Sequence, residues 1–81
     1  MVVLALKAKG TLHNRLALLR AEKRWSQKEV ADKLGVSRQT IIALEHNRYN
    51  PSLILAFEIA LLFRKDINDV FQYVVDEDNG K

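Results

Sequence analysis

The feature that most restricts how this sequence can fold is a pair of helix start signals joined by a tight turn. Ser26 is followed three residues later by Glu29, a spacing at which the two side chains satisfy each other's backbone amides at a helix start. The helical periodicity then ends at Gly35, which can take the left-handed conformation that closes a helix, and Ser37 can cap the next helix at once. The sequence therefore predicts two short helices whose mutual geometry is fixed by residues 34–37.

Another helix is predicted before this pair. Thr11 can cap a segment in which Leu12, Leu16 and Leu19 recur at helical spacing, with charged side chains on the other faces. This pattern predicts a first helix that begins at Leu12 and buries its leucine face.

Two more helices are predicted after the pair. Asn50 precedes a proline, which disfavours the helical region, so a fourth helix is expected to begin at Pro51 and Ser52 and to extend to Phe63. Residues 67–72 are predicted to form a short fifth helix. The expected core face of the fourth helix consists of Leu53, Ala56, Ile59, Ala60 and Phe63.

Together these signals predict an all-α domain of five helices. We place the domain at residues 11–73, between an apolar N-terminal segment at residues 1–10 and an acidic tail at residues 74–81. The apolar run at residues 2–6 has no helical cap, so we expect it to be extended. It could pair with residues 73–75, either within one chain or across a dimer.

The composition argues against several classes of protein. The chain has no cysteine and only two histidines, His13 and His46, so neither a metal nor another cofactor is expected. Its serine, histidine and aspartate residues include no Gly-x-Ser-x-Gly motif, and we expect no enzymatic activity. The apolar opening is much shorter than the roughly 20 residues of a membrane helix, so we expect a soluble cytoplasmic protein without a membrane partner.

Charge is distributed unevenly along the chain. Residues 1–50 hold ten lysines and arginines against four acidic residues, whereas residues 51–81 hold three against six. The basic half could therefore face a polyanion while the acidic half faces away from it.

The two capped helices have the spacing of a helix-turn-helix, in which the second helix lies in the major groove of DNA. Arg38 and Gln39 begin that second helix, and their side chains can pair bidentately with guanine and adenine. The residues alone leave an alternative open, because caps and a basic solvated face occur in any small helical bundle. Trp25 could stack on a base, but its position directly before a cap favours packing against the core.

The sequence resembles the lambda-repressor-like, or XRE-type, helix-turn-helix transcriptional regulators. The resemblance covers residues 12–71 and rests on the segments WSQKEVA at 25–31, LGVSRQTI at 34–41 and RYNPSL at 48–53, together with Leu16, Arg20, Leu44 and Glu45. It implies a five-helix fold, double-stranded DNA as partner, and a partly buried ion pair between Arg20 and Glu45. The DNA-contacting residues that it implies are Gln27, Lys28, Ser37, Arg38, Gln39, Thr40, Ala43, Arg48, Tyr49 and Asn50.

The chain departs from the family pattern at two places. Asn47 stands where a glycine is usual in the turn after the third helix, and asparagine can still adopt the left-handed conformation. Ile54, Phe57 and Leu61 form a second apolar stripe on the fourth helix where charge is common. We expect this stripe to form a homodimer interface together with Val74 and Val75, although cover by the termini of the same chain would also explain it.

These features lead us to expect a prokaryotic repressor that binds a near-palindromic operator as a homodimer in the nucleoid. Two recognition helices would then lie about 34 Å apart, one turn of DNA. The alternative is an antitoxin-type module that uses the same helix-turn-helix for autoregulation while it binds a protein partner. A partner that co-purifies in fixed stoichiometry would favour the alternative.

Overall fold

The computed structural model describes residues 9–75, which form five helices and a two-stranded antiparallel sheet. In chain order these are β1 (Gly10–Asn14), α1 (Leu16–Lys23), α2 (Gln27–Leu34), α3 (Arg38–Glu45), α4 (Leu53–Phe63), α5 (Ile67–Val70) and β2 (Phe71–Val75). The prediction of five helices is confirmed. The prediction of an all-α domain is wrong, because a strand near each end of the described chain pairs with the other in an antiparallel sheet.

The sheet replaces the beginning of the predicted first helix and the end of the predicted fifth. Thr11 does not cap a helix: it lies in β1, where it pairs with Val74, and α1 begins only at Leu16. Phe71 is extended, so α5 ends at Val70. Backbone partners supplied by the far end of the chain outweigh the local helical pattern in both places. The apolar run at residues 2–6 and the acidic residues 76–78 lie outside the described residues.

All five helices and β2 contribute to a single core. Its buried members include Leu16 on α1, Val30 on α2, Ile41 on α3, Ile59 on α4 and Val70 on α5, each fully shielded from solvent. Burying an aliphatic side chain of this size stabilises a fold by about 1.5–3 kcal/mol. The core therefore fixes how α2 and α3 are held against the rest of the molecule.

Helix α4 buries a face that is shifted from the predicted one. Ala56, Ile59, Ala60 and Phe63 are buried as expected, but Leu53 is 70% exposed and Leu55 is buried in its place. Leu53 is the first residue of the helix and lies to one side of the buried face, whereas Leu55 lies on its edge. No helix in residues 9–75 has the length and apolar character needed to cross a membrane.

Trp25 packs at the edge of the core between α1 and α2. Its indole ring is half-buried, and its centroid lies 5.6 Å from that of Phe63. The ammonium of Lys33 lies 4.7 Å from the indole centroid, a cation–π distance. Trp25 therefore joins the α2 start to the end of α4, the packing role that its place before a cap favoured.

Candidate nucleic-acid interface

Helices α2 and α3 are joined by a turn whose geometry follows from local sequence. The Ser26 hydroxyl accepts a hydrogen bond from the Glu29 amide at 3.0 Å, and the Glu29 carboxylate accepts one from the Ser26 amide at 2.7 Å. Gly35 ends α2 with φ +71°, and the Val36 amide donates to the Ala31 carbonyl at 3.0 Å. No heavy atom lies within 4 Å of where a Gly35 Cβ would be, so the backbone conformation is what favours glycine there.

The start of α3 presents two polar side chains to solvent. Arg38 and Gln39 are both exposed, while Ile41 and Leu44 on the opposite face of α3 are buried. Ala43 is half-buried one turn further along. The structure thus anchors α3 through its apolar face and leaves the first turn with side chains that can donate and accept hydrogen bonds.

A chain of hydrogen bonds connects Arg38 to the Arg20–Glu45 ion pair. Arg20 Nε donates to Glu45 Oε2 at 2.7 Å, and Arg20 Nη2 donates to Glu45 Oε1 at 3.2 Å. Glu45 Oε1 also accepts from Gln27 Nε2 at 3.1 Å, and Gln27 Oε1 accepts from Arg38 Nη2 at 3.5 Å. These side chains therefore link α1, α2 and α3, and the chain of hydrogen bonds reaches the exposed start of α3 at Arg38.

The ion pair is largely shielded from water, most of all on its acidic side. The Glu45 side chain is 6% exposed and the Arg20 side chain 22%. Hydrogen bonding to Glu45 raises the pKa of Arg20 above its ordinary value, and the Coulombic attraction of Glu45 adds to this effect, while burial opposes it. Because the pKa is raised, this contribution to stability is complete at neutral pH, well below the ordinary arginine value, and disappears as the pH rises through the raised pKa.

The start of α2 is a donor-rich surface. The capping box occupies the Glu29 amide, and the Val30 amide donates to the Ser26 carbonyl, so the first two amides of the helix, those of Gln27 and Lys28, have no partner within the helix. The Lys28 ammonium pairs with Asp32 at 2.9 Å, and both side chains are highly exposed. Such a pair is weak, so Lys28 can exchange Asp32 for another anion.

Ser37 and Thr40 use their hydroxyls to start α3. The Ser37 hydroxyl accepts from the Thr40 amide at 3.1 Å, and the two hydroxyls are 2.9 Å apart. Thr40 is half-buried, whereas Ser37 is exposed. Among the predicted DNA contacts, these two side chains are therefore partly committed to capping.

The loop after α3 carries the remaining three predicted contact residues. Arg48, Tyr49 and Asn50 are all exposed, and the Arg48 amide donates to the Ala43 carbonyl at 2.8 Å. Asn47 has φ +58°, so the asparagine at the usual glycine position does adopt the left-handed conformation. The conformation of Asn47 and the hydrogen bond of the Arg48 amide therefore define the direction in which the loop leaves α3.

Asn14 also belongs to this region, although no sequence pattern selects it. Its side-chain amide Nδ2 donates to the Leu44 carbonyl at 2.8 Å and to Asn47 Oδ1 at 3.1 Å, and its Oδ1 accepts from the Leu16 amide at 3.0 Å. Asparagine often accepts a hydrogen bond from the backbone amide two residues later, as Asn14 does here, and this turn preference is the only local signal available. Its contact with α3 depends on the strand β1, which local periodicity did not predict.

The predicted dimer residues lie on two different elements. Ile54, Phe57 and Leu61 are exposed on α4, with Ile54 at 73% and Leu61 at 77%. Val74 and Val75 are exposed on β2, but neighbouring residues of a strand point to opposite faces of a sheet. The structure therefore brings the α4 residues together as one apolar stripe and separates Val74 from Val75.

No group of histidine, aspartate and glutamate side chains in residues 9–75 is arranged to hold a metal ion.

The comparisons with known proteins agree on one family. A helix-turn-helix family model matches residues 16–70. An uncharacterized HTH-type transcriptional regulator of Methanocaldococcus jannaschii is 52% identical over 66 residues, which cover 82% of this chain and all of that protein. The crystal structure of the transcriptional regulator VanUg superposes with a TM-score of 0.71 at 22% identity, over 94% of this chain and all of that one, and so shows the same fold.

A further relative is the antitoxin HipB of Escherichia coli. It is 40% identical over 48 residues, which cover 59% of this chain and 51% of that protein. The match is therefore confined to about half of HipB.

Proposed function

Since the chain belongs to the XRE-type helix-turn-helix family of transcriptional regulators, we propose that it is a repressor that reads a near-palindromic operator as a homodimer. The observation that carries this proposal is the exposed pair Arg38 and Gln39 at the start of α3, a helix whose opposite face is buried. Side chains on a rigid helix can discriminate base edges, and each bidentate contact contributes roughly 1–3 kcal/mol. Such a regulator acts on cytoplasmic, nucleoid-associated DNA.

The other contact residues act on the DNA backbone. The amides of Gln27 and Lys28 at the positive end of α2 bind one phosphate, and Lys28 leaves Asp32 to do so. Thr40 contacts the sugar-phosphate backbone beside Ser37. Arg48, Tyr49 and Asn50 bind phosphates from the loop after α3. Ala43 offers only a methyl group, which suits close contact with a thymine methyl.

The homodimer is proposed on the α4 stripe. Ile54, Phe57 and Leu61 are exposed apolar side chains on one side of a helix, away from its buried face. A second copy of the same stripe is complementary in chemistry, as a two-fold interface requires. Val74 or Val75 on β2 extends the contact, but only one of the two faces the partner because their side chains diverge.

Selection from a random pool of duplex DNA tests the proposal. We expect the wild-type protein to enrich an inverted repeat, and the double variant Arg38→Ala, Gln39→Ala to enrich none. The matched control is Lys65→Ala, Asn68→Ala, which removes the same charge and an amide side chain from exposed positions beyond α4. Enrichment of the same sequence by wild type and the α3 variant would contradict base reading by α3.

A second candidate function is suggested by the resemblance to the antitoxin HipB. In that case the exposed α4 stripe would bind a different protein, and DNA binding would serve autoregulation. Expression of the tagged chain in its native host distinguishes the two, since a partner in one-to-one ratio with the chain would favour the antitoxin and a symmetric homodimer would favour the repressor.

A further inference from the structure

Asn14 connects three segments that are distant in sequence. It is the last residue of β1, where it pairs with Phe71 of β2, and it is half-buried. Its Oδ1 accepts from the Leu16 amide at 3.0 Å, which orders the entry to α1. Its Nδ2 donates to the Leu44 carbonyl at 2.8 Å and to Asn47 Oδ1 at 3.1 Å. One side chain therefore joins the sheet, the start of α1 and the end of α3.

The bonds from Nδ2 act at the point where the chain leaves α3. The Leu44 carbonyl also accepts from the Asn47 amide at 3.0 Å, so the two bonds converge on the last turn of the helix. Asn47 is held in the left-handed conformation at φ +58°. Asn14 therefore holds both the side chain of Asn47 and the Leu44 carbonyl to which the Asn47 amide donates. Arg48 follows Asn47 directly in the chain.

We propose that Asn14 is a positioning residue for DNA binding, which acts through Asn47 to hold the loop of residues 48–50 where it can contact phosphates. The inference rests on the proposed function and deepens it. Asn14 itself does not touch DNA; it transmits the position of the β1–β2 sheet to the loop. If Asn14 served only to order the start of α1, its Oδ1 would be sufficient. The two hydrogen bonds that Nδ2 donates to Leu44 and Asn47 are the ones that act on the loop.

The variant Asn14→Ser separates these two roles. A serine hydroxyl can still accept from an amide two residues later, but it is too short to donate to Leu44 and Asn47 together. The control is Val70→Ala, which opens a cavity in the core without removing a contact to the loop. Binding to the selected duplex is measured over a range of salt concentrations at a temperature where circular dichroism shows every variant to be folded.

We expect Asn14→Ser to reduce the magnitude of the slope of log affinity against log salt by about two, because one phosphate contact is lost from each protomer of the homodimer. The fold-loss of affinity relative to wild type should be roughly tenfold smaller at about 200 mM salt than at about 50 mM. The preference for the selected duplex over a scrambled one should stay unchanged, because phosphate contacts are independent of sequence. Val70→Ala should keep the wild-type slope.

A double-mutant cycle with Arg48→Ala tests the route through the loop. Arg48→Ala alone should reduce the magnitude of the slope by about two, one for each protomer, and adding Asn14→Ser should reduce it little further, because both changes remove the same contacts. A wild-type slope in Asn14→Ser, an equal loss in Val70→Ala, or full additivity with Arg48→Ala would each overturn the inference. Failure of the wild-type protein to bind any duplex would instead overturn the proposed function, and the inference with it.

Discussion

At the residue scale, the Arg20–Glu45 pair is asymmetric in its exposure. Glu45 is 6% exposed and accepts from both Arg20 and Gln27, whereas Arg20 at 22% can reach water if its partner is lost. Removing one member of a buried pair is costly mainly because the other charge is left without compensation. The two single substitutions should therefore differ in their effect on stability.

We predict that Arg20→Ala lowers the free energy of unfolding by about 3–5 kcal/mol, and that Glu45→Ala lowers it by clearly less. Urea denaturation of both variants at neutral pH measures the difference. The double variant Arg20→Met, Glu45→Leu is the control, and it should recover much of the loss because it leaves no buried charge unpaired. Equal losses in the two single variants would contradict the asymmetry.

The turn between α2 and α3 depends on the backbone of Gly35. Its φ of +71° is unfavourable for other residues although the space for a Cβ is empty. We predict that Gly35→Ala destabilises the fold by about 1–2 kcal/mol and that Gly35→Asn costs less, since asparagine tolerates the left-handed region. Thermal unfolding of both variants tests this, and a stabilised alanine variant would show that the turn is not strained.

Residues whose roles depend on neighbours in sequence were predictable. The caps at Ser26 and Ser37 and the left-handed conformation of Gly35 follow from local spacing, that of Asn47 follows from the family resemblance, and the structure has all of them. Asn14 was not predictable in the same way. Its partners Leu44 and Asn47 are 30 and 33 residues away, and no local pattern encodes a contact at that separation.

At the scale of elements, the sheet is the feature that helical periodicity missed. Leu12, Leu16 and Leu19 have helical spacing, yet Leu12 lies on β1 opposite Tyr73 and packs against the core from there. A leucine at that position suits a strand as well as a helix, so a short apolar pattern does not distinguish them. The backbone pairing of residues 10–14 with residues 71–75 makes this segment a strand and not a helix.

The pairing of β1 with β2 needs a small residue at position 10. A Cβ on Gly10 would lie 2.6 Å from Tyr73 Cζ and 2.7 Å from the Val74 carbonyl oxygen, closer than such atoms approach. We predict that Gly10→Ala opens this end of the sheet, because the clash with a backbone oxygen cannot be relieved by rotating a side chain. Hydrogen exchange should show faster amide exchange in residues 71–75 while the amides of α2 keep their protection.

The control for the sheet is Thr11→Ala, which changes an exposed side chain on the opposite face of β1. It should leave exchange in residues 71–75 close to that of the wild type. Unchanged exchange in Gly10→Ala would contradict the close contact between Gly10 and β2.

At the scale of the whole molecule, the proposed dimer predicts how charge on α4 changes assembly. We expect wild-type protein to sediment as a dimer at micromolar concentration, and Ile54→Lys, Leu61→Lys to sediment as a monomer, because two lysines would be buried in the apolar contact. The control is Leu18→Lys, which places a lysine at an exposed leucine on α1, and this variant should stay dimeric. A wild-type monomer, or equal dissociation in Leu18→Lys, would contradict an interface on α4.

We propose that Arg38 on α3 reads a guanine from the major groove. The most direct test replaces each guanine of the selected duplex in turn by 7-deazaguanine, which lacks the major-groove N7 acceptor, or by inosine, which lacks the minor-groove amino group. We predict that 7-deazaguanine at one symmetric position lowers wild-type affinity about tenfold, that inosine there has little effect, and that Arg38→Ala is insensitive to both. Loss of affinity with inosine alone, or equal sensitivity in Arg38→Ala, would contradict the reading of guanine by Arg38.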